Sequence, residues 1–365
     1  MIKQLINSKN KKKIKYFRAK INYFLQKQFI PNVYESIHIE NTNICNLKCK
    51  FCAYSKRDFD KIPHTSMEYD FFRKIIFQII DLGYKQIGLT PLTGEIFMDK
   101  KIFEKFELLE NLNELDGYFF YTNFIPLNEF KLEKIIEFKK LNNLGISIYG
   151  HDENSFIKFS DGTKSSYKKI VSNLRHLFHL IQNKNINFNI EISQRTEKDF
   201  LIENNKSELS LILKKLMKIN QITYSKNHSF NNWGGYIKEK DIENLNIKFE
   251  KDKTEKVGAC SLIFSRLLIG ANGLVNACAC RDVDFSLSIG DLKKEKLSSI
   301  ISLNNKIYKK LIEDQEKNIF PKVCKSCDFY KSIYEPLKNK SWDKKKQLKT
   351  NYQDLKTVYK ILENR

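Results

Sequence analysis

The stretch CNLKCKFC at residues 45–52 places three cysteines, Cys45, Cys49 and Cys52, at the spacing C-x3-C-x2-C. It follows the first segment with strand character, so the three thiols share one loop. Zinc is one candidate occupant, although structural zinc usually takes four ligands in two close pairs. A 4Fe-4S cluster held by three thiolates instead leaves one iron without a protein ligand. The stretch therefore indicates a metal centre with an open coordination position.

Around this loop, short β-rich runs alternate with longer helical patterns. Strands are predicted at 35–43, 86–92, 118–123, 144–149, 187–193 and 221–225, and helices at 68–82, 101–112, 129–141, 167–183 and 207–219. Such alternation predicts parallel strands joined by right-handed crossovers. The expected fold is α/β, a partial (βα)6 TIM-like barrel with its site at the C-terminal strand ends.

After residue 226 the pattern changes, which predicts a second, smaller domain of α+β type. Residues 266–277 read as a β-hairpin that turns at Asn272-Gly273. A helix is predicted over 295–316, followed by a cysteine pair and a charged helical tail.

The cysteine spacing resembles that of the radical S-adenosylmethionine (SAM) superfamily, whose hallmark is this motif after the first strand of a partial (βα)6 barrel. In that family the open iron binds the amino and carboxylate groups of SAM. Reductive cleavage of SAM then gives methionine and a 5'-deoxyadenosyl radical, which abstracts a hydrogen from the substrate. The protein supplies binding, orientation and shielding.

The resemblance implies a SAM pocket that begins at the cysteine loop. Phe51 matches the family's aromatic residue against the adenine, and Tyr54 matches the position whose backbone meets the adenine amino group. Thr93-Gly94-Glu95 resembles the family's Gly-Gly-Glu motif and departs from it at Thr93. The Glu95 carboxylate, or the backbone around it, would receive the cofactor's ammonium group.

Three later strand ends extend the implied pocket. Thr122 and Asn123 resemble the family's Thr-Asn-Gly motif, with Phe124 in place of Gly. Ser147 on the fourth strand matches the usual contact to the ribose hydroxyls. Arg195 closes the fifth strand, where a polar or basic residue commonly meets the ribose or the methionine carboxylate.

The remaining cysteines form a second group, in which Gly273 completes the pattern Cys-x12-Gly-x4-Cys: Cys260, Cys278, Cys280, Cys324 and Cys327. The arrangement resembles the auxiliary-cluster domains called SPASM and Twitch. The Twitch-like form, with one auxiliary 4Fe-4S cluster, suits five cysteines better. It implies Cys260, Cys278, Cys324 and Cys327 as ligands, with Cys280 either spare or exchanging with Cys278. Two separated thiolate pairs also suit zinc, which stays open here.

The function implied by the resemblance is radical SAM chemistry that oxidises (dehydrogenates) a sugar, cyclitol or other small metabolite with help from the auxiliary cluster. Such an oxidation needs a base, and Asp282, just past the auxiliary cysteines, is the candidate. A reductant such as flavodoxin or ferredoxin is also implied. The alternatives are a maturase of a ribosomally synthesised peptide, a radical epimerase and, more remotely, a zinc-binding nucleic-acid-associated protein.

Composition sets limits on partners and location. The net charge is +21, but the lysines are scattered over every predicted helix, and no aromatic-interleaved basic motif indicates a specific nucleic-acid partner. No run approaches the roughly 18 apolar residues of a transmembrane helix, and the start lacks the apolar core of a secretory signal. We therefore expect a cytoplasmic protein, in whose reducing surroundings clustered cysteines indicate metal ligands.

Four parts are expected along the chain. A basic helical extension covers 1–34, where apolar residues recur at helical spacing, a pattern that also allows weak contact with a membrane surface. The radical SAM barrel covers 35–235, a SPASM/Twitch-like domain 255–335, and a charged helical tail 336–365.

Overall fold

The computed structural model describes residues 31, 35–89, 92–249, 256–302 and 304–333. The predicted N-terminal helix and the charged C-terminal tail therefore lie outside the described residues. Within the described part, no helix has the length and apolarity needed to cross a membrane.

The first part of the chain alternates strands and helices as predicted. Its strands are β1 (Ile37–Ile39), β2 (Gln86–Gly88), β3 (Gly117–Thr122), β4 (Leu141–Tyr149), β5 (Asn189–Arg195) and β6 (Ile222–Asn227). Its helices are α1 (Tyr69–Asp81), α2 (Ile102–Glu110), α3 (Glu129–Ile136), α4 (Glu153–Ser160), α5 (Lys164–Asn183) and α6 (Glu208–Leu216). The six predicted strands and five predicted helices are all present, whereas α4 was not predicted.

The second part is built from shorter elements. Its strands are β7 (Ser229–Phe230), β8 (Lys248–Phe249), β9 (Leu268–Ile269), β10 (Leu274–Asn276) and β11 (Ser288–Asp291), and its helices are α7 (Glu239–Ile242), α8 (Leu297–Ile300), α9 (Lys306–Glu316) and α10 (Lys322–Ser326). The single helix predicted over 295–316 is wrong. Asn305 caps a new helix there, because its side chain accepts from the backbone N–H groups of Ile307 and Tyr308.

One nine-stranded sheet joins the two parts. Strands β1 to β6 are parallel and lie in sequence order. On the other side of β1, β9 pairs in parallel, and β10 and β11 follow antiparallel. The predicted hairpin is therefore confirmed as β9 and β10, and Gly273 takes the positive φ of 91° that its turn requires. The hairpin extends the barrel sheet and does not form a separate layer.

The two faces of the sheet differ in chemistry. Alternate residues on β3 to β5 that face the helices are apolar and fully buried, namely Phe120, Leu144, Ile146, Ile148, Ile190 and Ile192. The intervening residues face the interior of the barrel and are mostly polar. In register across β4, β5 and β6 lie the rows Gly145–Glu191–Thr223, Ser147–Ser193–Ser225 and Tyr149–Arg195–Asn227. The outer face forms the hydrophobic core, and the inner face is suited to a polar ligand.

Asn173 on α5 provides a test of how the loop after β3 is held. Its side-chain amide donates to Phe124 O (2.7 Å) and Leu127 O (3.2 Å) in the buried interior. Asn173→Ala leaves both carbonyls without that donor and should lower the free energy of unfolding by about 1–3 kcal/mol in urea denaturation. Asn183→Ala, at the exposed end of the same helix, should change it by less than about 0.5 kcal/mol. Equal losses for the two variants would contradict this role.

Candidate functional site

The first cysteine loop is fixed by the helix that the sequence pattern did not predict. Lys48 N donates to Ser160 O (3.2 Å), and Lys50 N donates to Phe159 O (3.1 Å). Both carbonyls belong to the last turn of α4, where helical carbonyls have no partner within the helix. The loop and the helix end therefore satisfy each other's backbone groups.

Tyr54 holds the beginning of the loop from the other side. Its hydroxyl accepts from Cys45 N (3.1 Å) and lies 3.2 Å from His64 Nε2. The ring is buried. The contact predicted between the Tyr54 backbone and an adenine stays a prediction, while the side chain orders the loop.

The three thiols of the loop lie in a desolvated environment. Burial raises the pKa of Cys45 to about 12 and also raises the pKa values of Cys49 and Cys52, whereas Arg195 lowers the last two. Such thiols ionise when a metal binds them. Among the described residues, no three His, Cys, Asp or Glu side chains converge on one ion. The thiolates of a cubane cluster each bind a different iron, so they need not converge on one point.

Gly94 and Glu95 pack directly against this loop. Glu95 N donates to Ile44 O (2.9 Å), one residue before Cys45. A Cβ at Gly94 would lie 2.5 Å from Thr42 O, a distance that no side chain tolerates. Glycine is therefore required here because two backbone segments touch.

The carboxylate of Glu95 connects the ends of β2 and β3. It is buried and accepts from Thr122 Oγ1 (2.7 Å), Asn123 N (2.7 Å) and Phe97 N (3.3 Å). Burial raises the pKa of Glu95 to about 7, and these hydrogen bonds oppose that rise. The structure thus brings the two predicted motifs together through one side chain.

Asn123 and Phe124 complete the connection to the cysteine loop. Asn123 Nδ2 donates to Asn46 Oδ1 (2.8 Å), inside the C-x3-C-x2-C stretch. Phe124, which stands where the family has glycine, adopts the left-handed conformation with φ of 67° and is fully buried. Its N–H donates to Thr122 Oγ1 (2.9 Å). The turn therefore has a backbone conformation that favours glycine, although its residue is phenylalanine.

Thr93, the other departure from the family pattern, belongs to a buried polar cluster. Arg57 Nη1 donates to Glu40 Oε1 (2.9 Å) and to Thr93 Oγ1 (3.3 Å). The guanidinium also lies 5.5 Å from the centre of the Phe285 ring. Thr93 therefore helps to place a cation between the cysteine loop and the second part of the chain, a contact that no sequence motif indicated.

Ser147 lies on β4 and Arg195 is the last residue of β5, and both lie on the inner face of the barrel. Ser147 pairs in register with Ser193, and Tyr149 with Arg195. Both residues are half-buried, and within the described parts of the chain neither the Ser147 hydroxyl nor the Arg195 guanidinium makes a hydrogen bond or an ion pair. An unpaired guanidinium close to the thiols of Cys49 and Cys52 suits the carboxylate of a bound amino acid.

Phe51 lies in an aromatic cluster. Its ring centre is 4.9 Å from that of Phe230 and 5.3 Å from that of Tyr149, and Trp233 Nε1 donates to its carbonyl (2.9 Å). Tyr149 can be expected near the site from the sequence, because it lies two residues after Ser147 on the same strand. Phe230 and Trp233 come from a region without a recognisable motif.

The five remaining cysteines form a second group of buried or half-buried thiols around Cys260. Burial raises the pKa of Cys260 to about 12, with the charges of Cys327 and Cys280 adding to the effect. Burial likewise raises the pKa of Cys324, followed by the charges of Cys260 and Cys327. The structure therefore brings together thiols that lie up to 67 residues apart in the sequence.

Several N–H groups point at these sulfurs. Gln315 is fully buried, donates to Cys324 Sγ (3.4 Å) and accepts from Cys260 N (2.9 Å). Phe329 N donates to Cys327 Sγ (3.3 Å). Hydrogen bonds to sulfur are one of the ways in which a protein adjusts an iron-sulfur cluster. No sequence motif indicated Gln315.

Asp282, the predicted base, is fully buried and engaged within its own loop. Its carboxylate accepts from Ser286 N (3.1 Å), Ser286 Oγ (2.8 Å) and Leu287 N (2.7 Å). These contacts give Asp282 a structural role in the turn after Cys280. Its catalytic role stays a prediction.

Comparison with known protein families matches the two parts separately. Residues 39–192 match the model of the radical SAM superfamily, and residues 260–328 match the iron-sulfur cluster-binding SPASM domain. The chain belongs to the radical SAM superfamily. It is a radical SAM enzyme with a C-terminal SPASM domain, and its cofactors are 4Fe-4S clusters and SAM.

Solved structures share the fold at low sequence identity. The crystal structure of Streptococcus suis SuiB bound to precursor peptide SuiA is 14% identical, with a TM-score of 0.57, covering 89% of this chain and 76% of that one. The structure of BtrN in complex with AdoMet and 2-DOIA is 13% identical, with a TM-score of 0.51, covering 82% and 94%. Comparison with curated protein sequences gives no significant match.

The residues present fit the radical SAM cofactors. Cys45, Cys49 and Cys52 would hold one cluster, and Arg195 and Ser147 offer groups without protein partners to SAM. The cysteines around Cys260 would hold the auxiliary cluster. These ligand assignments stay predictions.

Arg195 provides a direct test of the SAM pocket. Arg195→Gln removes the unpaired guanidinium and should weaken SAM binding to the anaerobically reconstituted enzyme by roughly 10- to 150-fold. That range corresponds to one charge-assisted contact of about 1.5–3 kcal/mol, and calorimetry measures it. Arg175→Gln, on an exposed pair with Glu208, is the control and should leave binding unchanged. Unchanged SAM binding in Arg195→Gln would show that Arg195 does not contact SAM.

Glu95 provides a test of the connection between the motifs. Glu95→Gln turns an acceptor oxygen into an N–H₂ group that faces buried donors, which should cost about 1–3 kcal/mol of folding stability. We expect a lower urea midpoint together with weaker SAM binding. Glu107→Gln on the exposed face of α2 should show neither effect. A stable Glu95→Gln protein with normal SAM affinity would contradict this role.

Proposed function

We propose that this radical SAM enzyme dehydrogenates a sugar, cyclitol or other small polar metabolite. The observation that carries the proposal is the polar inner face of the barrel at β4 to β6, in a sheet that continues through β1 into the hairpin next to the second cysteine group. A small hydroxylated molecule would find hydrogen-bond partners along this face.

Glu191 is the inner-face residue that best supports a polar substrate. Its Oε2 accepts from Tyr121 Oη (3.2 Å), and the Tyr121 ring crosses β4 at Gly145, where a Cβ would lie 2.1 Å away. Across the described residues, no cation lies within ion-pair distance of this carboxylate. Its second oxygen is therefore available for a substrate hydroxyl or amino group.

Each of the site residues would have a separate role in such a reaction. When bound, the clusters and SAM supply the hydrogen-abstracting radical and a one-electron acceptor. Arg195 and Ser147 would orient SAM, and the ring of Phe51 would shield it from water. Glu191 would accept the proton that leaves the substrate hydroxyl. Loss of one hydrogen atom, one proton and one electron converts a carbinol into a carbonyl, so two hydrogens leave in total.

The first experiment establishes the chemistry. The wild-type protein, purified anaerobically, should contain about eight irons per chain and form 5'-deoxyadenosine when reduced with dithionite in the presence of SAM. The variant Cys45→Ala/Cys49→Ala/Cys52→Ala should keep about four irons and form none. A colourless, zinc-containing wild-type protein would refute the proposal.

A second experiment distinguishes dehydrogenation from its alternatives. The enzyme is incubated in D₂O with SAM, dithionite and a panel of cyclitols, aminocyclitols and sugars, and products are analysed by mass spectrometry. Dehydrogenation lowers the mass of the product by two hydrogens, whereas epimerisation leaves one deuterium on carbon. A product that gains deuterium without losing mass would overturn the oxidation. A precursor peptide is incubated under the same conditions. If the peptide is modified while every member of the panel stays unchanged, the proposal is overturned in favour of a peptide maturase.

A further inference from the structure

Arg266 lies where the barrel interior meets the second cysteine group. It comes two residues before β9, which pairs in parallel with β1, and its carbonyl accepts from Ala279 N (2.7 Å). Its Nη1 lies 3.9 Å from Cys280 Sγ and is oriented to donate to it. The backbone and the side chain of Arg266 therefore both hold the segment that carries Cys278 and Cys280.

The charges around Arg266 place it between two sites. The Cys280 thiolate raises the pKa of Arg266 most strongly, and Tyr121 and Glu35 add to the effect. Tyr121 in turn donates to Glu191 on the inner face of the barrel. Arg266 is thus a half-buried cation whose direct side-chain contact is with Cys280 and whose charge also acts on Tyr121.

Arg266 also differs from the other donors to these sulfurs. Gln315 Nε2, Phe329 N and Cys280 N are neutral groups. Arg281, the second cation nearby, directs its Nη1 to the Cys280 carbonyl and stacks on Phe329 at 4.3 Å. Among the described residues, Arg266 is the charged side chain that donates directly to a cysteine sulfur of this group.

We propose that Arg266 is a positioning residue that fixes Cys280 at the auxiliary centre and raises the reduction potential of the cluster bound there. The inference rests on the proposed function, because it assumes an auxiliary cluster. Reduction adds negative charge to the cluster, and a cation that donates to a neighbouring thiolate stabilises that charge. An auxiliary cluster of higher potential accepts an electron more readily.

The test measures a potential and needs no substrate. In the Cys45→Ala/Cys49→Ala/Cys52→Ala background, only the auxiliary cluster contributes to the electron paramagnetic resonance signal. A redox titration followed by this signal gives the midpoint potential of the cluster. Arg266→Gln should lower the equilibrium constant for reduction at least tenfold, which is 59 mV for one electron. Arg266→Lys keeps the charge and should retain most of the potential. Arg175→Gln, on the exposed face of α5, should leave it unchanged.

The possible results distinguish a failure of the inference about Arg266 from a failure of the proposed function. Equal potentials for the parent and Arg266→Gln would overturn the inference while leaving the proposed function intact. If Arg266→Gln does not bind the cluster, the Arg266→Lys variant is used instead. A cluster at the parent potential in Arg266→Lys supports the proposed role of the positive charge. Loss of the cluster in Arg266→Lys overturns that role. A parent protein without auxiliary iron would instead refute the proposed function itself.

Discussion

The buried carboxylate of Glu95 is the interaction on which the first site depends. It joins the end of β2 to the end of β3, while its own N–H joins both to the residue before Cys45. Because the three segments are far apart in sequence, none of them could order the cysteine loop alone. Strands of only three residues, such as β1 and β2, can support the site because side chains and loop backbones carry the connections between them.

A second constraint is the continuity of the sheet through β1. Strand β1 pairs with β2 on one side and with β9 on the other, so the barrel and the second cysteine group share a strand. Arg57 strengthens the same junction by pairing with Glu40 and lying over Phe285. The relative position of the two centres is therefore set by backbone hydrogen bonds and a buried ion pair.

The sequence predicted those features that depend on local pattern. Short β-rich runs between helical patterns identified β1 to β6, the Asn272-Gly273 pair identified the hairpin, and the cysteine spacing identified the first centre. Features that depend on contacts across the fold were missed. Helix α4 has eight residues, begins where the Asp152 side chain accepts from Ser155 N, and ends at Asp161 in the left-handed conformation; neither cap was recognised from the sequence. Gln315 gave no signal, because its importance comes from touching two cysteines that lie 64 residues apart in the chain.

The shared strand also determines how far the molecule can be divided. Removing the C-terminal part would leave one side of β1 with unpaired N–H and C=O groups, and an exposed sheet edge is a template for aggregation. It would also uncover Leu268's apolar neighbours, among them Ala53 beside the first cysteine loop. The barrel and the SPASM domain therefore cover each other's open sheet edge, and we expect truncation at the family boundary to destabilise both parts.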